Sequence, residues 1–248
     1  MSAAPGFAPS WPAPANVRAW VTERGSPGRY GSLNLATHVG DDPAAVSENR
    51  TRLRAALDLP AEPRWLTQVH GTHVVDLDRE APGAADGAVT ARPGVVCAVL
   101  TADCLPVLLC DRAGRRVGVA HAGWRGLSSG VLEAAIAAFG DAPQQVVAWL
   151  GPAIGQAAYE VGTDVRDAFV MRRPAAAGRF TPNGRGRWQA DLYGLARDAL
   201  AAAGVGCVHG GGFCTYTEAE RFFSHRREAP CGRMATLIWL DSAGSRSS

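Results

Sequence analysis

The chain has 248 residues, 47% hydrophobic and 19% charged, with a formal net charge of +2. That composition suits a soluble globular protein with a large core, and the balanced charge excludes nucleic acid or a membrane surface as main partner. All 25 cationic residues are arginine, which excludes Schiff-base and P-loop lysine chemistry.

Residues 1–15 are rich in Ala and Pro, with no basic start or apolar h-region. They read as a disordered tail rather than a signal peptide. No apolar run is long enough to span a bilayer. Six scattered cysteines form no CxxC pair, so a reducing cytoplasm is expected. The pattern predicts a strand over 17–21, then a long Gly-, Ser- and Arg-rich loop over 22–35. Asp42 as N-cap and Pro43 at the first helical position start a helix. It carries Val46, Leu53 and Leu57 at helical spacing and ends by Pro60. Strands are expected over 65–70 and 73–77, a turn at 85–87, and an apolar strand over 95–100.

Two apolar runs follow, 105–110 and 117–120, separated by Asp111-Arg112-Ala113-Gly114. This spacing predicts a hairpin, which sets Cys104 and His121 at one sheet edge. Residues 122–126 read as a glycine-rich turn leading into a helix over 131–139, stopped by Gly140. A strand over 146–150, a helix over 162–171 and a basic surface loop over 175–187 come next. A helix over 191–203, strands over 205–209 and 235–240, and a tail over 241–248 complete the reading. The expected fold is a single compact α/β domain over 16–240, with layered mixed sheets and flanking helices.

His70, Cys104 and His121 each end a predicted strand beside a small or turn residue. Two imidazoles and a thiolate with an open fourth position fit catalytic zinc; a blue-copper site also uses two histidines and a cysteine. The same residues fit a thiol enzyme, with Cys104 as nucleophile, His121 as base and Asp103 or His70 in support. A serine hydrolase is the third reading, from Gly126-Leu127-Ser128-Ser129-Gly130 and the later His209-Gly210-Gly211-Gly212. Its context fails, because the serine does not follow a strand directly and the glycine-rich loop comes after it. Arg125, Arg226, Arg227 and Arg233 suit phosphate or carboxylate. Cys97, Cys110 and Cys207 sit in apolar runs and read as core.

Several segments together resemble the laccase-domain family, also called the multicopper polyphenol oxidase or peptidoglycan editing factor family. They are Thr67-Gln68-Val69-His70-Gly71, Ala85-Asp86-Gly87, Thr101-Ala102-Asp103-Cys104-Leu105-Pro106, Ala120-His121-Ala122-Gly123-Trp124-Arg125-Gly126, Gly151-Pro152-Ala153-Ile154-Gly155, Tyr159-Glu160-Val161-Gly162, Cys214-Thr215 and Phe222-Phe223-Ser224-His225-Arg226-Arg227. The resemblance implies a fold related to cysteine-deamidase toxins and a metal, usually zinc, on His70, Cys104 and His121. It implies phosphorolysis of adenosine, inosine, guanosine or methylthioadenosine, with adenosine deamination at the same site. Copper-dependent polyphenol oxidation is the older assignment, and a Cys104-dependent amidase or deamidase in peptidoglycan precursor editing is the runner-up. In this reading Arg125, Arg226 and Arg227 are candidates to hold phosphate, and Asp103 and Glu160 are candidate proton carriers. The small-molecule partners are then a nucleoside and phosphate. His225, Cys231 and Gln156 stand where the family often has Tyr, Thr and Pro.

Overall fold

The computed structural model describes residues 5–140 and 142–241; the expected tails at 1–4 and 242–248 lie outside them. In chain order the elements are β1 (Gly6–Phe7), β2 (Val17–Thr22), α1 (Pro43–Ala56), β3 (Val74–Asp76), β4 (Gly87–Thr90) and β5 (Cys97–Thr101). Next come β6 (Leu105–Asp111), β7 (Val117–Ala122), α2 (Trp124–Ser129), α3 (Val131–Phe139), β8 (Val146–Leu150), β9 (Glu160–Val161) and α4 (Thr163–Arg172). Then β10 (Phe180–Pro182), β11 (Trp188–Ala190), α5 (Leu192–Ala202), β12 (Cys207–Gly210), α6 (His225–Glu228) and β13 (Met234–Leu240) close the chain.

Three sheets form: β1-β2-β13-β5, β12-β8-β6-β7-β4-β3, and a small β10-β11-β9. The period-two pattern of β6 explains the layering. Leu105, Val107 and Leu109 join a core with Leu132, Ile136, Phe139, Leu195 and Leu200 of α3 and α5. Leu108 and Cys110 face the other way, into a core with Val17, Val21, Val99 and Ile238 of the four-stranded sheet. Alternate side chains of one strand thus serve two cores, which is why β6 reads as an unbroken apolar run. The outer face of the four-stranded sheet is covered by Leu53 of α1 with Leu33 and Leu35 of the long loop. Asp42 caps α1 by accepting from Ala44 N, as its sequence predicts. Among the described residues, no helix is long and apolar enough to cross a membrane.

Five expectations need correction. Residues 65–70 are not a strand: only isolated bridges form, Arg64 to Cys97 and Thr67 to Ala84. There the Gln68 side chain replaces the ladder, donating to Leu100 O and accepting from Leu100 N. The turn at 85–87 runs into a strand at Gly87, whose small residues are fully buried. Residues 122–126 are not all turn, because Trp124 opens α2. The loop at 175–187 contains a 3-10 segment and β10. The tail at 1–15 contains β1, which pairs Gly6 with Thr22 and Phe7 with Val21. Phe7 stacks near Trp149 and Phe213, and that apolar contact holds the segment down.

Candidate metal centre

The hairpin places its two ligand types as its spacing predicts. Leu105 pairs with Ala122 and Pro106 with His121, so Cys104 and His121 share one edge of the six-stranded sheet. His70 arrives on the loop before β3. The ligand atoms of His70, Cys104 and His121 all lie within 4.8 Å of one another. Among the described residues this is the only such cluster of His, Cys, Asp or Glu. Gly123 explains the closeness, since a Cβ there would sit 2.8 Å from the His70 ring and 3.1 Å from Cys104 Sγ.

Asp86 organises the cluster, and its side chain is fully buried. Its carboxylate accepts His121 Nδ1–H at 2.8 Å and the amides of Val69, His70 and Gly71 at 3.2, 3.0 and 2.6 Å. Burial would raise its carboxyl, but the bonds from His121, Gly71 and Val69 and the nearby His121 ring hold it below the usual range. With Nδ1 engaged, His121 presents Nε2 to the ligand position, the arrangement in which a carboxylate fixes the ring of a metal-binding histidine. His70 itself has φ of 59°, a conformation that strains a non-glycine residue by roughly 1–3 kcal/mol.

Burial alone would raise the Cys104 thiol, but the His121 and His70 rings outweigh it and lower its pKa. His121 is raised in turn, because the Cys104 thiolate and the Asp86 carboxylate overcome the effect of burial. Cys104 is therefore a thiolate near neutral pH, the form that binds metal or attacks an electrophile. Two fully buried cysteines contrast: burial pushes the Cys97 thiol well up and the Cys110 thiol to about 12. All six are free.

The cluster opens into a cavity of about 350 Å³. Trp124, Ile154, Tyr159 and Leu192 give it an apolar wall, while His38, His225, Arg226 and Arg233 give it a basic one. Asp103 is the one carboxylate in the lining. Both its oxygens are occupied, accepting from Thr215 Oγ1 at 2.6 Å and Arg226 N at 2.7 Å. It has φ of 90° and ties the loop before β6 to α6.

The remaining expected site residues divide. Arg226 lines the cavity, stacks over Tyr159 at 5.6 Å and donates to Glu160 O at 2.9 Å. The Arg227 guanidinium is consumed by the carbonyls of Thr215, Tyr216 and Phe222 and by Glu228. Arg125 stacks over Trp124 at 4.4 Å and does not line the cavity. The Glu160 carboxylate turns away toward Asn183 and Arg185. Ser128 lies in α2 with Oγ donating to Arg125 O, in no nucleophile geometry. Sequence reasoning missed the roles of Asp86, Thr215, Gly123 and Tyr159. The signal for Asp86 was an aspartate flanked by small residues at a strand entrance.

A family model described as "Multi-copper polyphenol oxidoreductase laccase" matches residues 18–241. The chain belongs to this laccase-type family. A Pseudomonas aeruginosa relative named as a purine nucleoside phosphorylase is 53% identical over 236 residues, 94% of this chain and 97% of its own. The purine nucleoside phosphorylase YfiH of Escherichia coli is 52% identical over 237 residues, with the same two coverages. A Neisseria meningitidis crystal structure superposes with a TM-score of 0.91 at 50% identity, covering 96% of this chain and 99% of that one. YlmD of Geobacillus stearothermophilus gives 0.83 at 33% identity, covering 92% and 93%. The family is thus shown along nearly the whole chain, and its members share this α/β fold.

Proposed function

We propose that this protein is a zinc-dependent purine nucleoside phosphorylase of the cytoplasm, acting on a nucleoside and phosphate. The observation that carries the reading is a metal-type cluster at the floor of a cavity with one aromatic and one basic wall. Relatives of similar length bearing that activity in their names support it.

In phosphorolysis a phosphate oxygen bonds to the sugar C1′ while the glycosidic C–N bond breaks. The purine leaves with the bonding pair and takes up a proton, giving free base and sugar 1-phosphate. In our reading Trp124 and Tyr159 supply the surface on which a purine stacks. Burial and the nearby Cys104 push the Tyr159 phenol up, so it stays a neutral donor toward the base or sugar. Arg226 attracts the anion. Asp103, with both oxygens engaged, positions Arg226 rather than carrying a proton. Asp86 sets the His121 ring.

The donor set fits zinc: two histidines and a thiolate leave a fourth position open. Zinc on His70, Cys104 and His121 would supply Lewis-acid polarisation of the bound substrate. Deamination of adenosine, which the resemblance implies, needs a free proton-carrying carboxylate, and Asp103 and Glu160 are both engaged elsewhere. Oxidation with several copper ions needs more clustered histidines than a chain with six can present.

The test is adenosine incubated with and without phosphate, separated on one chromatogram alongside metal analysis. We expect adenine only with phosphate. Inosine formed without phosphate would establish a deaminase instead. Turnover by metal-stripped protein would move Cys104 from ligand to nucleophile.

A further inference from the structure

The basic wall of the cavity is built in a way that the metal cluster does not require. Asn34, fully buried, is its centre. Its Oδ1 accepts from Ala36 N and from Arg233 N, both near 3.0 Å. Its Nδ2 donates to Ala36 O and Asp41 Oδ2, and its own carbonyl accepts from Asn49 Nδ2. Arg50 adds two bonds to Leu35 O and stacks over Trp65 at 4.3 Å. One buried amide therefore fixes the 34–41 loop and the Arg233 backbone together. The consequence is that His38 and Arg233, 195 residues apart in sequence, line the same cavity as the metal cluster.

Among the described residues the Arg233 guanidinium on this wall has no ion-pair partner. Among the described residues, neither Arg233 nor Arg50 forms an ion pair within 4.0 Å. Arg233 Nη1 is anchored on the carbonyls of Cys231 and Gly232 at 2.7 and 3.1 Å. That orients the guanidinium and leaves Nε and Nη2 for a ligand. His38 is pulled down by burial first, then by the charges of Arg233 and Arg50, so it experiences a cationic field. The only lining carboxylate, Asp103, is already bound. A planar fork with an imidazole lining the same cavity matches a tetrahedral dianion.

We propose that His38 and Arg233 form a phosphate subsite, taking the phosphoryl dianion of free orthophosphate or of a nucleoside 5′-phosphate. This rests on the phosphorolysis reading for its place in the reaction, but the binding can be measured without it. Arg226, over the Tyr159 ring, lines the same cavity and adds a further cationic group.

The experiment titrates full-length metal-loaded protein with inorganic phosphate by calorimetry and measures KM for phosphate and for adenosine. The variants are Arg233→Gln, Arg233→Lys and His38→Asn, with Arg112→Gln in the distant hairpin turn as control and thermal melts to confirm folding. Loss of the guanidinium charge in Arg233→Gln, or of the imidazole N–H donor in His38→Asn, should weaken phosphate about tenfold or more. KM for adenosine should hold within about twofold, and Arg233→Lys should keep part of the affinity. Unchanged phosphate affinity in folded Arg233→Gln and His38→Asn overturns the subsite, whatever the turnover. Wild-type protein that binds phosphate but never consumes adenosine with it refutes the phosphorylase reading and leaves the subsite standing. Adenosine 5′-monophosphate binding at least about tenfold tighter than adenosine, with the advantage lost in Arg233→Gln, assigns the subsite to a nucleotide. Equal binding of the two assigns it to orthophosphate.

Discussion

Asp86 holds His121 and three consecutive amides of the His70 loop with one carboxylate. Replacing it by Asn keeps the size but turns one acceptor into a donor facing those amides. Asp86→Asn should therefore lose about 10–100-fold in metal affinity, read by competition with a chromophoric chelator. Affinity equal to wild type would show that the ring is held by other means. Cys104→Ser should strip most metal and activity, since a hydroxyl is a far poorer ligand than a thiolate. Ser128→Ala should change kcat little; its abolition in folded protein would revive the serine-hydrolase reading. At this scale the sequence was legible where chemistry is rare. Cysteine and histidine beside small residues stand out, and all three members of the cluster were visible. Arginines do not, because every cation here is arginine and most serve structure. Arg227 looks identical to Arg226 in sequence, yet four partners consume it.

The β6–β7 hairpin is the element that was read best, and its turn explains why. Asp111 is fully buried and accepts Arg115 N at 2.6 Å, Arg116 N at 2.9 Å and Arg115 Nε at 2.9 Å. Burial opposes ionisation, but these donors prevail and its pKa is lowered; Asp78 is lowered in the same way. A carboxyl lowered in the folded state stabilises above its unfolded pKa, near ~3.9, and that stability disappears as pH falls through the folded value. The contribution of these two carboxyls to the melting temperature should thus be flat from about pH 7 to 5 and fall below about pH 4. Asp111→Asn should cost roughly 1–3 kcal/mol at neutral pH and flatten the acid limb. A parallel displacement of the whole curve would count against this assignment. Elements with strong period or caps, such as β6 and α1, were readable. The small-residue strand β4 was not, because its place is set by pairing with β3 and β7; nor was the irregular 65–70 segment, whose bonds run through the Gln68 and Asp86 side chains rather than a ladder.

Across the whole molecule, the α/β layering follows from strands that alternate between two cores. What the sequence could not reveal was that Phe7 crosses from an Ala/Pro-rich start to reach Trp149 and Phe213, with Arg221 over its ring at 5.3 Å. Phe7→Ala should lower stability by about 1–3 kcal/mol and the melting temperature by about 2–4 °C per kcal/mol, with kcat unchanged. An unaltered melt would make this contact dispensable. The meeting of His70, Cys104 and His121 has one more consequence. Two of the three donors come together only when β6 pairs with β7, and the third only when Asp86 has closed its loop. A nascent or misregistered chain carries every donor and yet offers no site. On the zinc reading, metal therefore enters last, and its stoichiometry in a preparation counts the molecules that have completed their sheet. Ion in hundredfold excess over its dissociation constant would then hold the finished fold by about 2.7 kcal/mol, so a chelator should lower the melt of wild type and leave that of Cys104→Ser unmoved.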